Sequence, residues 1–420
     1  MEKTPVIKDK HILLGVSGGI AAYKACTVAS HLTQMGAEVD VVMTEAATRF
    51  VGPLTFQALT GRAAYTDMWR APGAGLPTHI AHIGLAHAAD LLLIAPATAN
   101  TMAKLAHGLA DNLLSTLALA AACPLLLVPA MDLGMWAHPA TQANVELLRQ
   151  RGVHFAGPAR GRMASGLEGE GRMIEPEEIV GHVRQVMGLE GPMAGWRVVV
   201  TAGPTREPLD PVRFLSNPSS GRQGFALAQA AVDRGAAVTL VAGPVDLPAP
   251  VGAERVTVTT ADEMKAAVLA ACERADLLLM ATAVADYRPA QVAPHKIKKG
   301  AEEMSLQMVR TPDILSAVAG QRAESGFPRC VAGFAAETQD LLPNARAKLA
   351  AKGLDIIVAN DVTRHDAGFG AATNRVVIVD RDGSAKELPL LSKPAVADAI
   401  LDHLLQAPYL GPRTNRAKDK

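Results

Sequence analysis

At 420 residues the chain is longer than a single hydrophobic core usually grows, so two domains are the first expectation. Hydrophobic residues make up 49%, charged residues 20%, and 41 Lys+Arg balance 41 Asp+Glu, which excludes a disordered chain and gives no reason to invoke nucleic acid or an anionic membrane as partner. Four scattered cysteines, Cys26, Cys123, Cys272 and Cys330, form no C-x-x-C pair, so neither a disulfide framework nor a zinc site is expected and a reducing cytoplasm is the natural setting.

The first five residues, MEKTP, lack the apolar core of a signal peptide. The apolar run His11 to Val16 predicts a strand, Ser17-Gly18-Gly19 a turn, 21–34 a helix and 39–43 a second strand. A strand that ends in Ser-Gly-Gly and hands over to a helix presents free N–H groups and the positive end of the helix dipole, which suits a phosphate. A plain strand-to-helix turn would give the same short motif. The G-x-G-x-x-G pattern is absent, and Glu45 after the second strand does not complete a dinucleotide fingerprint, which argues against NAD.

A buried strand over 89–95 is followed by Pro96-Ala-Thr98-Ala-Asn100-Thr101, small polar residues that can bond a ring edge or a phosphate at a strand's carboxyl end. The stretch 113–131 is apolar and nearly long enough to span a bilayer, but Pro124 and Pro129 interrupt it. It reads as a buried helix over 113–122 and a buried strand over 125–128. That strand runs into Pro129-Ala-Met131-Asp132-Leu-Gly-Met135-Trp136, and a glycine-rich stretch occupies 157–173. His79, His82 and His87 share their spacing with no carboxylate or cysteine, so a metal cluster is not indicated, and a lone His82 is by itself a satisfied core or surface residue.

The glycine- and proline-bearing segment 188–195 marks a boundary, giving domains over 1–190 and 191–408. Residues 409–420, with Arg413, Arg416, Lys418 and Lys420, read as a disordered tail. The second half repeats the opening plan, with a strand over 197–202, a helix over about 224–233 and a strand over 238–242. Apolar strands alternating with helices indicate α/β domains with parallel sheets covered on both faces, and ligands at the strands' carboxyl ends.

The loop between that strand and helix is far longer than the usual βα connection of about 2–6 residues. It carries Arg206, Arg213 and Asn217 and ends in Ser219-Ser-Gly-Arg222 at the helix start, a second nest for an anion. Asp286 follows a buried strand, and Lys296, Lys298 and Lys299 lie just beyond. Loop lysines are usually solvated; beside an aspartate they can instead hold a triphosphate and its magnesium.

The segments Gly15-Val-Ser-Gly-Gly-Ile-Ala-Ala-Tyr-Lys24, Pro96–Thr101 and Pro129–Trp136 resemble the FMN-binding cysteine decarboxylase family. The resemblance implies a flavodoxin-like domain in which three subunits share each flavin site. It implies that FMN oxidises the thiol of a C-terminal cysteine, that the thioaldehyde loses CO2, and that the reduced flavin then returns its electrons. Ser17, Gly18, Gly19, Thr44, Thr98, Asn100 and Ser115 take the family's FMN positions, and His82 its catalytic histidine. Two positions depart from the pattern: Asp132 stands where the family has Asn, and Ser165 where the better-known members carry a proton-donating cysteine. An ionised Asp132 would repel a substrate carboxylate and a serine is the weaker acid, so an alternative is a flavin half that is defective or only oxidative. The glycine-rich flap around Ser165 is retained and can act as a lid.

The motifs from Thr201 to Gly221, around Asp286 and around Lys296 are similar to the phosphopantothenate–cysteine ligase family, with a Rossmann-like nucleotide-binding domain. Together the two resemblances cover nearly the whole chain, in the order of the family's two-domain members of coenzyme A synthesis. They imply that CTP activates 4′-phosphopantothenate as an acyl-cytidylate, with Mg2+ near Asp286, and that the cysteine amine then forms the amide. Asn217 would hold the acyl intermediate and Lys296 act in the second half-reaction. Ala281, Ala283, Asp286, Lys296, Pro312, Asp313, Ile314, Leu315, Phe334, Lys348 and Lys352 fall at CTP positions. The implied assembly is a homo-oligomer, trimeric through the flavin half and dimeric through the ligase half, which combine in a dodecamer.

Overall fold

The chain divides into two units, Met1–Gly188 and Leu189–Lys420. The computed structural model describes residues 4–68, 81–163, 166–299, 304–363 and 370–407, and of residues 81 and 82 the backbone only. The expected tail at 409–420 lies outside the described residues. Among the described residues no helix is long and apolar enough to cross a membrane.

The first unit opens with β1 (His11–Val16), α1 (Ala22–Gln34), β2 (Glu38–Met43), α2 (Glu45–Thr48), α3 (Pro53–Thr60) and the short β3 (Ala64–Tyr65). It continues with α4 (Ala81–Ala88), β4 (Leu91–Ala97), α5 (Ala99–His107), α6 (Leu113–Ala120) and β5 (Leu125–Pro129). Then come α7 (Leu133–Ala137), α8 (Pro139–Gln150), β6 (His154–Phe155), the hairpin β7 (Ala159–Arg162) and β8 (Glu168–Arg172), and α9 (Pro176–Gly188).

All neighbours in the six-stranded sheet, ordered β3-β2-β1-β4-β5-β6, run parallel. Without β3 the order is that of flavodoxin-like sheets, with the switch in strand order between β1 and β4. Side chains alternate across the sheet. Ile12, Leu14 and Val16 enter one core with α1 and α9, while Leu13 enters the other with α5 and α6. Both faces are covered, which is why these strands are apolar throughout. The 113–131 stretch is divided between α6 and β5 and buries Leu113, Leu114, Leu117 and Leu126–Val128, while α6 stops two residues short of the expected 122 and Leu119 is exposed. Strand β4 extends two residues past the expected end, through Pro96 and Ala97, with a register shift against β5 after Ile94. Thr98 thereby becomes the N-cap of α5.

The second unit runs β9 (Arg197–Ala202), β10 (Arg206–Pro208), β11 (Phe214–Ser216), α10 (Arg222–Val232), β12 (Ala237–Ala242), β13 (Ala253–Thr257) and α11 (Ala261–Cys272). Next are β14 (Leu277–Met280), β15 (Tyr287–Pro289), β16 (Met308–Arg310), α12 (Ile314–Ser325), β17 (Cys330–Glu337), α13 (Leu341–Lys352) and β18 (Ile356–Asp361). The unit closes with β19 (Thr373–Asn374), β20 (Val376–Asp380), β21 (Ala385–Glu387), β22 (Leu391–Ser392) and α14 (Lys393–Gln406).

Its eight-stranded sheet is ordered β13-β12-β9-β14-β17-β18-β20-β21, parallel from β13 to β18 and closed by antiparallel β20 and β21. This is the Rossmann order with an added antiparallel edge, and the switch lies between β9 and β14. Val198, Val200 and Ala202 point into a core shared with α10 and α14, and Val199 into the opposite one with α11 and α12. Gly224 lets α10 approach β9: a Cβ there would lie 2.5 Å from Ala202 Cβ and 2.7 Å from the Thr201 carbonyl oxygen.

Candidate active sites

Each unit carries a cavity at the carboxyl ends of its central strands. In the first unit a cavity of about 460 Å3 is lined by the turn Gly18–Ala21, by Thr98, by the Met131-Asp132 loop and by the β7–β8 hairpin. Among the described residues no side chain caps the first turn of α1; Ala22 and Lys24 donate their N–H groups to the carbonyls of Gly19 and Ala21, both at 3.0 Å, and the positive end of the helix dipole lies beside the two glycines. Asp132 is the N-cap of α7 and accepts the Gly134 N–H at 3.1 Å.

The hairpin is tied to this loop. Met131 donates its N–H to Gly171 O at 2.9 Å, and Gly171, with φ +141°, sits so close that a Cβ would lie 2.5 Å from Met131 O. Only glycine fits that approach.

The structure thus brings Gly18, Gly19, Thr98 and Asp132 together. Ser17, Thr44, Asn100 and Ser115 lie outside the cavity lining. Ser17 is buried and spans β1 and β4: its hydroxyl donates to Pro96 O at 2.7 Å and accepts the Thr98 N–H at 3.1 Å. Thr44 caps α2 through the Ala47 N–H. Ser115 is buried in a capping box with Asn112, and Asn100 is exposed in the first turn of α5. The His82 side chain and Ser165 lie outside the described residues.

Sequence reasoning passed over three cations in this lining, Lys24, Arg162 and Arg172. Lys24 is buried on α1, donates to Met173 O at 3.1 Å and pairs with Glu175 at 3.0 Å. A lysine among Ala22, Ala25 and Val28 on the buried face of a helix was the available signal.

In the second unit a cavity of about 980 Å3 opens over the ends of β14, β17 and β18. Its lining gathers Asn217, Ala281, Ala283, Asp286, Pro312, Asp313, Ile314, Leu315, Phe334, Lys348 and Lys352, residues distant in sequence that the fold brings to one end of the sheet.

Asn217 lies on the loop after β11, Ala281, Ala283 and Asp286 on the loop after β14, Pro312 and Asp313 just before α12, Ile314 and Leu315 in α12, Phe334 in β17, and Lys348 and Lys352 in α13. Asp286 is exposed at the rim and Phe334 half-buried. The two strand-end loops are sewn together: Thr205 Oγ1 accepts the Ala285 N–H at 3.0 Å, and Thr311 Oγ1 donates to Ala285 O at 2.6 Å.

Asp313 caps α12 through the Ser316 N–H and pairs with Lys352. Burial opposes ionisation of Asp313, but the hydrogen bonds from Lys352 and Ser316 prevail and hold its carboxyl below the usual range. Lys348 donates to Phe334 O at 2.9 Å, and burial pushes its ammonium below the ordinary lysine range.

Lys296 is exposed on a loop and is not part of the cavity lining. The next residue is anchored: Ile297 donates its N–H to Asp210 at 3.0 Å and accepts from Arg213 at 2.7 Å. Among the described residues no three His, Cys, Asp or Glu side chains gather as a metal site. Arg222, Lys393 and Asn374 also line the cavity. Nothing local in Ser392-Lys393-Pro394, an ordinary helix start, announces this.

Residues 193–407 match the family model of the DNA/pantothenate metabolism flavoprotein C-terminal domain, and residues 2–188 match the Flavoprotein family. The coenzyme A biosynthesis bifunctional protein CoaBC of Bacillus subtilis (strain 168) is 48% identical over 402 residues, covering 95% of this chain and 97% of that protein. The protein of the same name from Mycobacterium tuberculosis (strain ATCC 25618 / H37Rv) is 45% identical over 408 residues, covering 94% and 96%. Among solved structures, the FMN binding protein AtHal3 is 35% identical over 42% of this chain and 96% of that chain, with a TM-score of 0.37.

Proposed function

Since the chain belongs to the family of coenzyme A biosynthesis bifunctional proteins, we propose that it performs two consecutive steps of that synthesis. It is a ligase and a decarboxylase. The second unit condenses 4′-phosphopantothenate with cysteine at the expense of CTP, and the first decarboxylates the product to 4′-phosphopantetheine.

The observation that carries the ligase reading is the second unit's cavity, which is lined by Asn217, Asp286, Lys348 and Lys352 and by the uncapped head of α10. Lys348 and Lys352 bind the nucleotide, and the Asp313 pairing holds Lys352 in place. The substrate carboxylate attacks the α-phosphorus, pyrophosphate leaves, and the cysteine amine displaces CMP from the acyl-cytidylate. Asn217 holds the acyl group, and Lys296 reaches in from its exposed loop during the second half-reaction. A lone carboxylate at Asp286 suits Mg2+, which takes one or two protein carboxylates and completes its shell with phosphates and water.

In the first unit the glycine turn, the uncapped α1 and the flanking cations fit the phosphate and ring of a flavin. When bound, FMN supplies the two-electron chemistry that turns loss of CO2 from the cysteinyl carboxylate into an accessible step. Lys24, Arg162 and Arg172 attract the acid substrate, Asp132 shapes the loop that meets it, and the β7–β8 hairpin carrying Ser165 excludes water. His82 acts at the reacting end. The full assembly is a homo-oligomer, with trimers of the first unit and dimers of the second.

Purified protein given CTP, Mg2+, 4′-phosphopantothenate and cysteine should release pyrophosphate, CMP and then CO2. No CMP at any magnesium concentration would overturn the ligase reading. Supplying phosphopantothenoylcysteine directly should yield 4′-phosphopantetheine; an oxidised enethiol as sole product would mean that the first unit only oxidises.

A further inference from the structure

Lys393 is the first residue of α14 and is only 7% exposed, yet it lines the second unit's cavity. Its ammonium has no hydrogen bond or ion pair among the described residues. The charged group that acts on it is another cation, Arg222, the first residue of α10. Burial and this neighbour both push the ammonium below its ordinary range.

Two helix N-termini add to the positive field. Lys393 sits at the head of the 14-residue α14, where the dipole disfavours a cation. The N-cap of the 11-residue α10 is Gly221, φ +73°, and among the described residues no side chain caps its first turn. Gln223 holds the two helix heads together, donating to Lys393 O at 3.3 Å, while its own Oε1 is buried without a partner among the described residues. A buried ammonium beside a guanidinium and two helix heads, with no carboxylate among the described residues paired to it, is costly unless an anion occupies the space between. Ser219, Ser220 and Gly221 border that same space.

We propose that Lys393 and Arg222 form a phosphate-binding subsite at the head of α10. This rests on the ligase reading, which brings two phosphorylated ligands into the cavity: the monoester of the acid substrate and the triphosphate of the nucleotide. Both present the same dianionic oxygens to the subsite.

The test is calorimetric titration of the full chain and of its Lys393→Met and Lys393→Arg variants. The ligands are CTP against cytidine, and 4′-phosphopantothenate against pantothenate. Lys393→Met should lose about tenfold or more in affinity for one phosphorylated ligand and nothing for its unphosphorylated counterpart, as expected on removing a charge-assisted contact. Lys393→Arg should recover most of that loss, and the ligand pair affected identifies the phosphate held. Unchanged affinity for both phosphorylated ligands overturns the subsite, as does an equal loss for a ligand and its unphosphorylated counterpart. Wild-type protein that binds neither CTP nor 4′-phosphopantothenate overturns the ligase reading itself.

Discussion

The side-chain amide of Asn217 donates to the carbonyl oxygen of Val284 at 3.0 Å and, with its other hydrogen, to that of Ala283 at 3.3 Å. Both partners accept, so the NH2 group must face them, and Oδ1 is the polar atom this clamp leaves over. The clamp joins the loop before α10 to the loop after β14, on either side of the switch in strand order. Asn217→Asp would set acceptors against acceptors, at a local cost of about 1–3 kcal/mol. Amide formation should fall at least as much as pyrophosphate release, with a lowered melting temperature; wild-type rates of both steps would show the clamp to be dispensable.

Lys348 should couple nucleotide binding to protons. Burial lowers its folded-state pKa below the ordinary 10.5. The unfolded chain therefore binds more protons between the lowered value and 10.5, and stability from this group rises with pH across that window. An anion brought against Lys348 reverses the shift, so CTP binding in the window takes up protons. Titrations in buffers of different ionisation enthalpy should detect the uptake, and Lys348→Met should abolish it. The same uptake in the variant would assign it elsewhere.

Two glycines within helices should respond oppositely to alanine. A Cβ at Gly224 would press on Ala202 and the Thr201 carbonyl, so Gly224→Ala should destabilise by about 1–3 kcal/mol and weaken phosphate ligands by moving α10. At Gly320, exposed within α12, nothing lies within 4 Å of the added atom. Gly320→Ala should stabilise by about 0.5–1 kcal/mol through lost freedom of the unfolded chain. Thermal melts of the two variants that shift in the same direction would refute this account of α10 packing.

Asp132→Asn isolates the charge at the first unit's cavity. Asn caps a helix about as well as Asp, so α7 and the melting temperature should be preserved. Removing an acceptor-only carboxylate that faces an acid substrate should lower the KM for decarboxylation severalfold. A higher KM with an unchanged melt would mean that the carboxylate itself serves the substrate.

Much of the fold was legible because burial on both faces of a sheet writes itself into every strand residue. The apolar runs 11–16, 125–128 and 197–202 could be read directly, and the proline-broken 113–131 stretch could be told from a membrane span. Ends were less legible: Pro96 looks like a strand breaker, yet β4 carries on through it to Ala97. Polar residues at strand ends were the hardest to assign. A hydroxyl such as Ser17 has the right chemistry for a ligand, but Pro96 in β4 and Thr98 already use it.

The sequence alone determined the two-part α/β plan and the glycine turns before α1 and α10, because each is a short-range pattern of burial period or backbone freedom. Only the tertiary structure decided which polar groups meet. Gln223 and the Lys393 backbone are 170 residues apart, and no local pattern joins them. Packing of α10 against α14 in one core does so, and leaves a buried cation where a phosphate would compensate it.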